Sequence, residues 1–227
     1  MVRLRQTMTS VTLAALFASA AASNDAPAGE GKTAEPVEEL GAVLALQPDP
    51  ARGAGVFKAC AHCHGANGGG SLDGTVPSLA AQHYRYLAKQ MVEFRNEQRS
   101  AGPIHLEMTL TALSGPRDIA DVAAYLADLP PAEKVSTGPG TLIARGEQLY
   151  RATCQSCHGE AAVGKNDLGI PSLHGQHYRY LSWQISNLAR GHRFNSPPDL
   201  TLLLQYTPPE DIEALADYLS RLPFAKD

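Results

Sequence analysis

The 227-residue chain is poor in sulfur, with four cysteines and four methionines. It also lacks features that would place it in other classes. Crossing a membrane takes about 20 apolar residues in a helix, and the run VTLAALFASAAA at 11–22 has only twelve. No basic stripe exists to follow a phosphate backbone, which argues against nucleic-acid binding. No stretch sustains the apolar–polar alternation of a half-buried strand, so an all-α fold is expected.

The twelve-residue run follows Arg3 and Arg5 and ends in small residues. That is the layout of a secretory signal over 1–22, with an uncleaved anchor as the alternative. No Arg–Arg pair marks the folded-export route, and no cysteine near the cut marks a lipid anchor. Once processed, the protein is expected not to span a membrane. Removal of 1–22 takes the net charge from −4 to −6. Most of the excess lies in 23–50, where Lys32 faces Asp25, Glu30, Glu35, Glu38, Glu39 and Asp49. Residues 23–48 therefore read as an acidic, disordered linker.

The remainder is one unit written twice. Cys60-Ala-His-Cys63-His64 recurs 94 positions later as Cys154-Gln-Ser-Cys157-His158. The same shift carries PSL (77–79) onto 171–173 and QHYRYL (82–87) unchanged onto 176–181. DIADVAAYLADLP (118–130) matches DIEALADYLSRLP (211–223). The units are read as 49–130 and 142–227, joined by a linker at 131–141. Segments 49–60 and 141–154 have helical apolar spacing. Ile212, Leu215, Ala216, Leu219 and Leu222 share one face of a closing helix, for which Thr207-Pro-Pro-Glu210 supplies a capping box. Units this small are near the lower limit for a self-sufficient core.

C-x-x-C-H is the covalent heme attachment pattern. One helical turn places both cysteines on the same side, within reach of the two vinyl groups, and the adjacent histidine projects toward the iron. Zinc, a redox dithiol and structural disulfides fit less well. The two pairs are too far apart in sequence for a zinc motif, the β-α-β setting of a redox dithiol is missing, and a disulfide needs no following histidine. Cys60, Cys63, Cys154 and Cys157 are the expected attachment points of two covalently bound heme c groups. Pro77 and Pro171 each lie 13 residues after the motif histidine. Their carbonyls either accept the imidazole Nδ1–H or belong to plain turns. Tyr84, Arg85, Tyr86, Arg99 and their second-half counterparts are candidates to meet the heme propionates, with core packing the alternative for the tyrosines.

CAHCHG and CQSCHG, the two QHYRYL helices and the closing DI…AYLADL and DI…DYLSRL helices together resemble a diheme class I cytochrome c of the cytochrome c4 family, over roughly 51–223. The resemblance implies two tandem class I cytochrome c domains, each a small bundle of helices around one heme. It implies His64 and Met108 as the two iron ligands of heme 1, and His158 as the proximal ligand of heme 2. It also implies a periplasmic carrier of single electrons rather than an enzyme. Its partners would be a respiratory dehydrogenase or quinol-oxidising complex and a terminal oxidase or reductase.

The second unit departs from that pattern, because no methionine follows Met108. The matching position falls on Leu200, Thr201 or Leu202, none of which binds iron. Met91 is read as core filler, since Ile185 takes its place in the second unit. The sixth position of heme 2 is either open or taken by a replacement. His192 leads the candidates, ahead of His177, His174, Lys165 and Tyr206. An open iron would admit small ligands, which keeps a heme oxidoreductase or a gas-binding protein as alternatives. A dedicated cytochrome subunit of a dehydrogenase is a third.

Overall fold

A computed structural model describes residues 36–99, 112–193 and 195–224. Met108 and the signal segment lie outside them. The described secondary structure is helical apart from one isolated bridge between Lys165 and Ile170. In the first unit the helices are α1 (Pro36–Leu44), α2 (Pro50–Phe57), α3 (Ala61–His64), α4 (Tyr84–Arg95) and α5 (Pro116–Asp128). In the second they are α6 (Ile143–Thr153), α7 (Gln155–His158), α8 (Tyr178–Ala189), α9 (Pro198–Leu204) and α10 (Pro209–Leu219).

Local chemistry starts these helices in different ways. Asp49 caps α2 by accepting from the Ala51 and Arg52 N–H groups, and Pro50 supplies the first turn. Ahead of α6 the acceptor comes from a distant helix, where the Asp217 carboxylate takes the Gly140 and Leu142 N–H groups. Helices α2 and α5 of the first unit, and α6 and α10 of the second, then cross at a glycine. A methyl group on Gly53 would lie 2.0 Å from the Asp121 carbonyl oxygen, and one on Gly146 would lie 2.0 Å from that of Ala214. Only hydrogen permits so close a crossing. Behind it, Phe57, Leu87, Val92, Ile119 and Leu126 form the first core, and Tyr150, Leu181, Leu215 and Leu219 the second. Met91 and Ile185 pack against these cores at matching places.

Two expectations need correction. Residues 36–44 are not a disordered linker but helix α1, which packs on α4 and α5. Glu39 is buried there, with its carboxylate 2.9 Å from Arg95 and hydrogen-bonded to the Asn96 amide. Partnered burial, not solvation, holds this acidic residue in place. The capping box at Thr207 does not form either. Helix α10 begins at Pro209 after Pro208, with no side-chain cap. Pro208 takes the N-cap position, which puts Glu210 at N2 rather than at the N3 position a capping box needs.

The stretch read as the linker is laced to the second unit. Ser136 N–H donates to His177 Nδ1, Tyr178 N–H donates to the Ser136 carbonyl, and Gly138 N–H donates to the Ser220 hydroxyl. The described residues together form one compact unit.

Candidate functional site

Helices α3 and α7 are single turns of the same design. Cys60 precedes α3 while Cys63 and His64 end it, and Cys154, Cys157 and His158 repeat the arrangement around α7. Neither cysteine pair is joined as a disulfide. His64 Nδ1 donates to the Pro77 carbonyl at 3.1 Å, and His158 Nδ1 donates to the Pro171 carbonyl at 3.0 Å. The two prolines are therefore more than turn residues. A carbonyl only accepts, so the ring proton sits on Nδ1 and the Nε2 lone pair is left for a metal. Burial lowers both histidine pKa values, against the opposing pull of these hydrogen bonds, which favours the neutral, ligating form.

The two proximal loops face each other through the repeated QHYRYL segments. Gln82 Oε1 accepts from Ser172 N–H and its Nε2 donates to the Ser172 carbonyl, both at 2.9 Å. Gln176 holds Ser78 in the same way, again at 2.9 Å twice. His83 Nε2 donates to the Val163 carbonyl at 2.7 Å, and His177 Nε2 donates to that of Gly69 at 2.8 Å. Further out, Arg193 donates to the Tyr86 hydroxyl at 2.7 Å and Arg99 to that of Tyr180 at 3.0 Å. Gln90 and Gln184 each accept from both arginines. Burial pushes the Tyr86 phenol up, but Arg193 and Arg99 outweigh it and hold the pKa below its ordinary value.

The family of cytochrome c matches residues 50–130, and that of the cbb3-type cytochrome c oxidase subunit III matches residues 141–219. Cytochrome c4 of Pseudomonas aeruginosa is 35% identical over 190 residues, which are 77% of this chain and 89% of that protein. The chain belongs to the cytochrome c4 family. The crystal structure of reduced recombinant cytochrome c4 from Pseudomonas stutzeri superposes with a TM-score of 0.69 at 29% identity, covering 78% of this chain and all of the other. A thiosulfate dehydrogenase electron acceptor of Stutzerimonas stutzeri is 31% identical over 174 residues, 72% of this chain and 79% of that protein.

Cytochrome c4 membership makes the chain a diheme electron carrier with two heme c groups. The residues present fit that cofactor. Each cysteine pair shares a turn with a histidine, buried at His64 and half-buried at His158, whose Nε2 is uncommitted. Among the described residues, no cluster of three or more His, Cys, Asp or Glu could hold a metal ion. Buried Arg99 Nε also lacks a hydrogen-bond partner among the described residues, and a heme carboxylate would supply one.

The residues named from sequence as candidates for the sixth position of heme 2 lie in different settings. Leu200, Thr201 and Leu202 lie on α9, which carries neither histidine nor methionine and whose one ionisable side chain is Asp199. His177 is completely buried with both ring nitrogens engaged, one as donor and one as acceptor from Ser136, so it has no lone pair for iron. His174 is buried edge-on to Phe224, with ring centroids 4.3 Å apart. Lys165, His192 and Tyr206 are exposed. His192 follows Gly191, and its N–H closes the end of α8 on the Asn187 carbonyl. Gln82, Gln176, Ser78 and Ser172 were not singled out from sequence. Their signal was present, since all four sit in segments repeated without change.

Proposed function

We propose that this cytochrome c4 carries single electrons in the periplasm, from a respiratory dehydrogenase or quinol-oxidising complex to a terminal oxidase or reductase. His64 and Met108 hold the iron of heme 1, and His158 holds that of heme 2 from its proximal side. The bound hemes supply reversible one-electron chemistry at iron. The chain keeps each proximal imidazole neutral and oriented through Pro77 or Pro171, and it limits water around the sites. One observation carries the reading: two equivalent proximal loops, each with a histidine aimed by a carbonyl, are clamped face to face. The thiosulfate dehydrogenase electron acceptor among its relatives supports a dehydrogenase as donor. Spectroelectrochemical titration should give two one-electron waves, with no steady turnover of thiosulfate or peroxide by the isolated protein. Turnover would favour an oxidoreductase instead.

A second reading concerns heme 2. Helix α9 offers no histidine or methionine and His177 is committed elsewhere, which supports a sixth position open to a small neutral ligand. Titration of the dithionite-reduced protein with carbon monoxide is expected to saturate at half of the total heme. No binding at either heme would mean a strong replacement ligand, and His192→Ala would then restore binding if His192 were that ligand. Binding at both hemes would sink the Met108 assignment.

A further inference from the structure

The hydrogen bond that aims each proximal histidine continues into the other half of the molecule. His64 Nδ1–H donates to the Pro77 carbonyl. The N–H of that same peptide unit belongs to Ser78, and it donates to Gln176 Oε1 at 2.9 Å. One planar amide is thus held at both ends, by the imidazole of the first half and the glutamine of the second. The reciprocal chain runs from His158 through the Pro171–Ser172 amide to Gln82. A second bond from each glutamine Nε2 to the same serine's carbonyl locks the pair in register. Ser78, Ser172 and Gln176 are buried, so water does not compete for these groups.

Resonance couples the two ends of a peptide unit. Accepting from its N–H polarises the amide and makes its carbonyl a better acceptor, and hydrogen bonds in such chains strengthen one another. A better acceptor at Nδ1–H makes the imidazole a more basic ligand. A more basic axial ligand favours ferric iron and lowers the potential.

We infer that Gln176 and Gln82 are crossed positioning residues, each tuning the heme of the opposite half through a serine–proline peptide. The inference rests on His64 and His158 being the proximal ligands. Gln176 in the second half lowers the potential of heme 1, and Gln82 in the first half lowers that of heme 2.

The test is Gln176→Leu and Gln82→Leu in the heme-loaded, full-length protein. Potentials are read by spectroelectrochemistry and assigned by NMR at partial reduction, where the two hemes' methyl resonances titrate separately. Gln176→Leu should raise the ratio of reduced to oxidised heme 1 about threefold at its original midpoint. At 59 mV per tenfold for one electron, that is a rise of about 30 mV, with heme 2 unmoved. Gln82→Leu should do the reverse. No shift, equal shifts at both hemes, or a shift confined to the mutated half's own heme would overturn the inference.

If a leucine variant fails to load two hemes, Gln176→Glu keeps the volume and the acceptor. It should lower heme 1 more than heme 2, and an equal or opposite ordering would count against crossed tuning. Failure of the underlying ligand assignment would show separately, as an unaltered heme 1 spectrum in His64→Ala.

Discussion

His64 and His177 are both buried histidines, yet their protons sit on opposite nitrogens. His64 spends Nδ1 on a carbonyl and keeps Nε2 free, whereas His177 donates from Nε2 to the Gly69 carbonyl and accepts at Nδ1 from Ser136. The first pattern suits a ligand and the second a structural cross-brace. Replacing His177 by alanine strands the Gly69 carbonyl and the Ser136 N–H. A cost of about 2–3 kcal/mol follows, read as a lower denaturant midpoint. The optical spectrum of heme 2 should stay unchanged, and a spectral change in this variant would reinstate His177 as a ligand. The sequence already pointed to a structural role, because its twin His83 sits in a half that carries Met108. The hydrogen bonds supply the reason. Their partners lie 80 and 108 residues away, beyond the reach of any local pattern.

Helices show where sequence reading works and where it fails. The closing helix α10 was legible because Ile212, Leu215, Ala216 and Leu219 recur at helical spacing, and all four are buried. Helix α1 was hidden by its composition. Glu38 and Glu39 entered a tally of acidic residues, and nothing local says that Glu39 meets Arg95 across 56 positions. The glycine crossings were equally silent, since Gly53 and Gly146 lie inside ordinary helical patterns. Gly53→Ala should cost about 1–3 kcal/mol through overpacking against the Asp121 carbonyl, and Gly146→Ala a similar amount against Ala214. Thermal unfolding of the heme-loaded variants checks this, and an unchanged or raised midpoint would show that the helices can separate freely at the crossing.

Across the whole molecule, several carboxylates are held in their charged form. The Ser71 hydroxyl, followed by the Thr75 N–H and hydroxyl, brings Asp73 down to about 2. Ser114 lowers Asp118 against its burial, and Arg145 lowers Asp211. Burial pushes Asp217 up, but Arg221 with the Leu142 and Gly140 N–H groups outweighs it. A carboxyl whose folded pKa lies below its unfolded value of about 3.9 stabilises the fold above that value. The contribution is lost as pH falls through the folded pKa. Stability from these groups should therefore hold from neutral pH to about 4 and decline below it. Asp73→Asn should unfold more easily at pH 7, with the gap from the parent closing between about pH 4 and 2. A gap that stays constant over that window would mean Asp73 acts through packing rather than charge.

The reciprocal contacts between the halves have a further consequence. Ser78 meets Gln176 while Ser172 meets Gln82, and Gly69 meets His177 while Val163 meets His83. Such an interface is isologous, the kind by which two separate identical chains close into a homodimer. Here the partners share one polypeptide, and a flexible tether alone would set their mutual concentration at about millimolar. The connecting stretch is bound down at Ser136, Gly138 and Gly140, which leaves it little slack. Dilution therefore cannot part the two redox centres, and the pair travels as one particle however scarce the protein is.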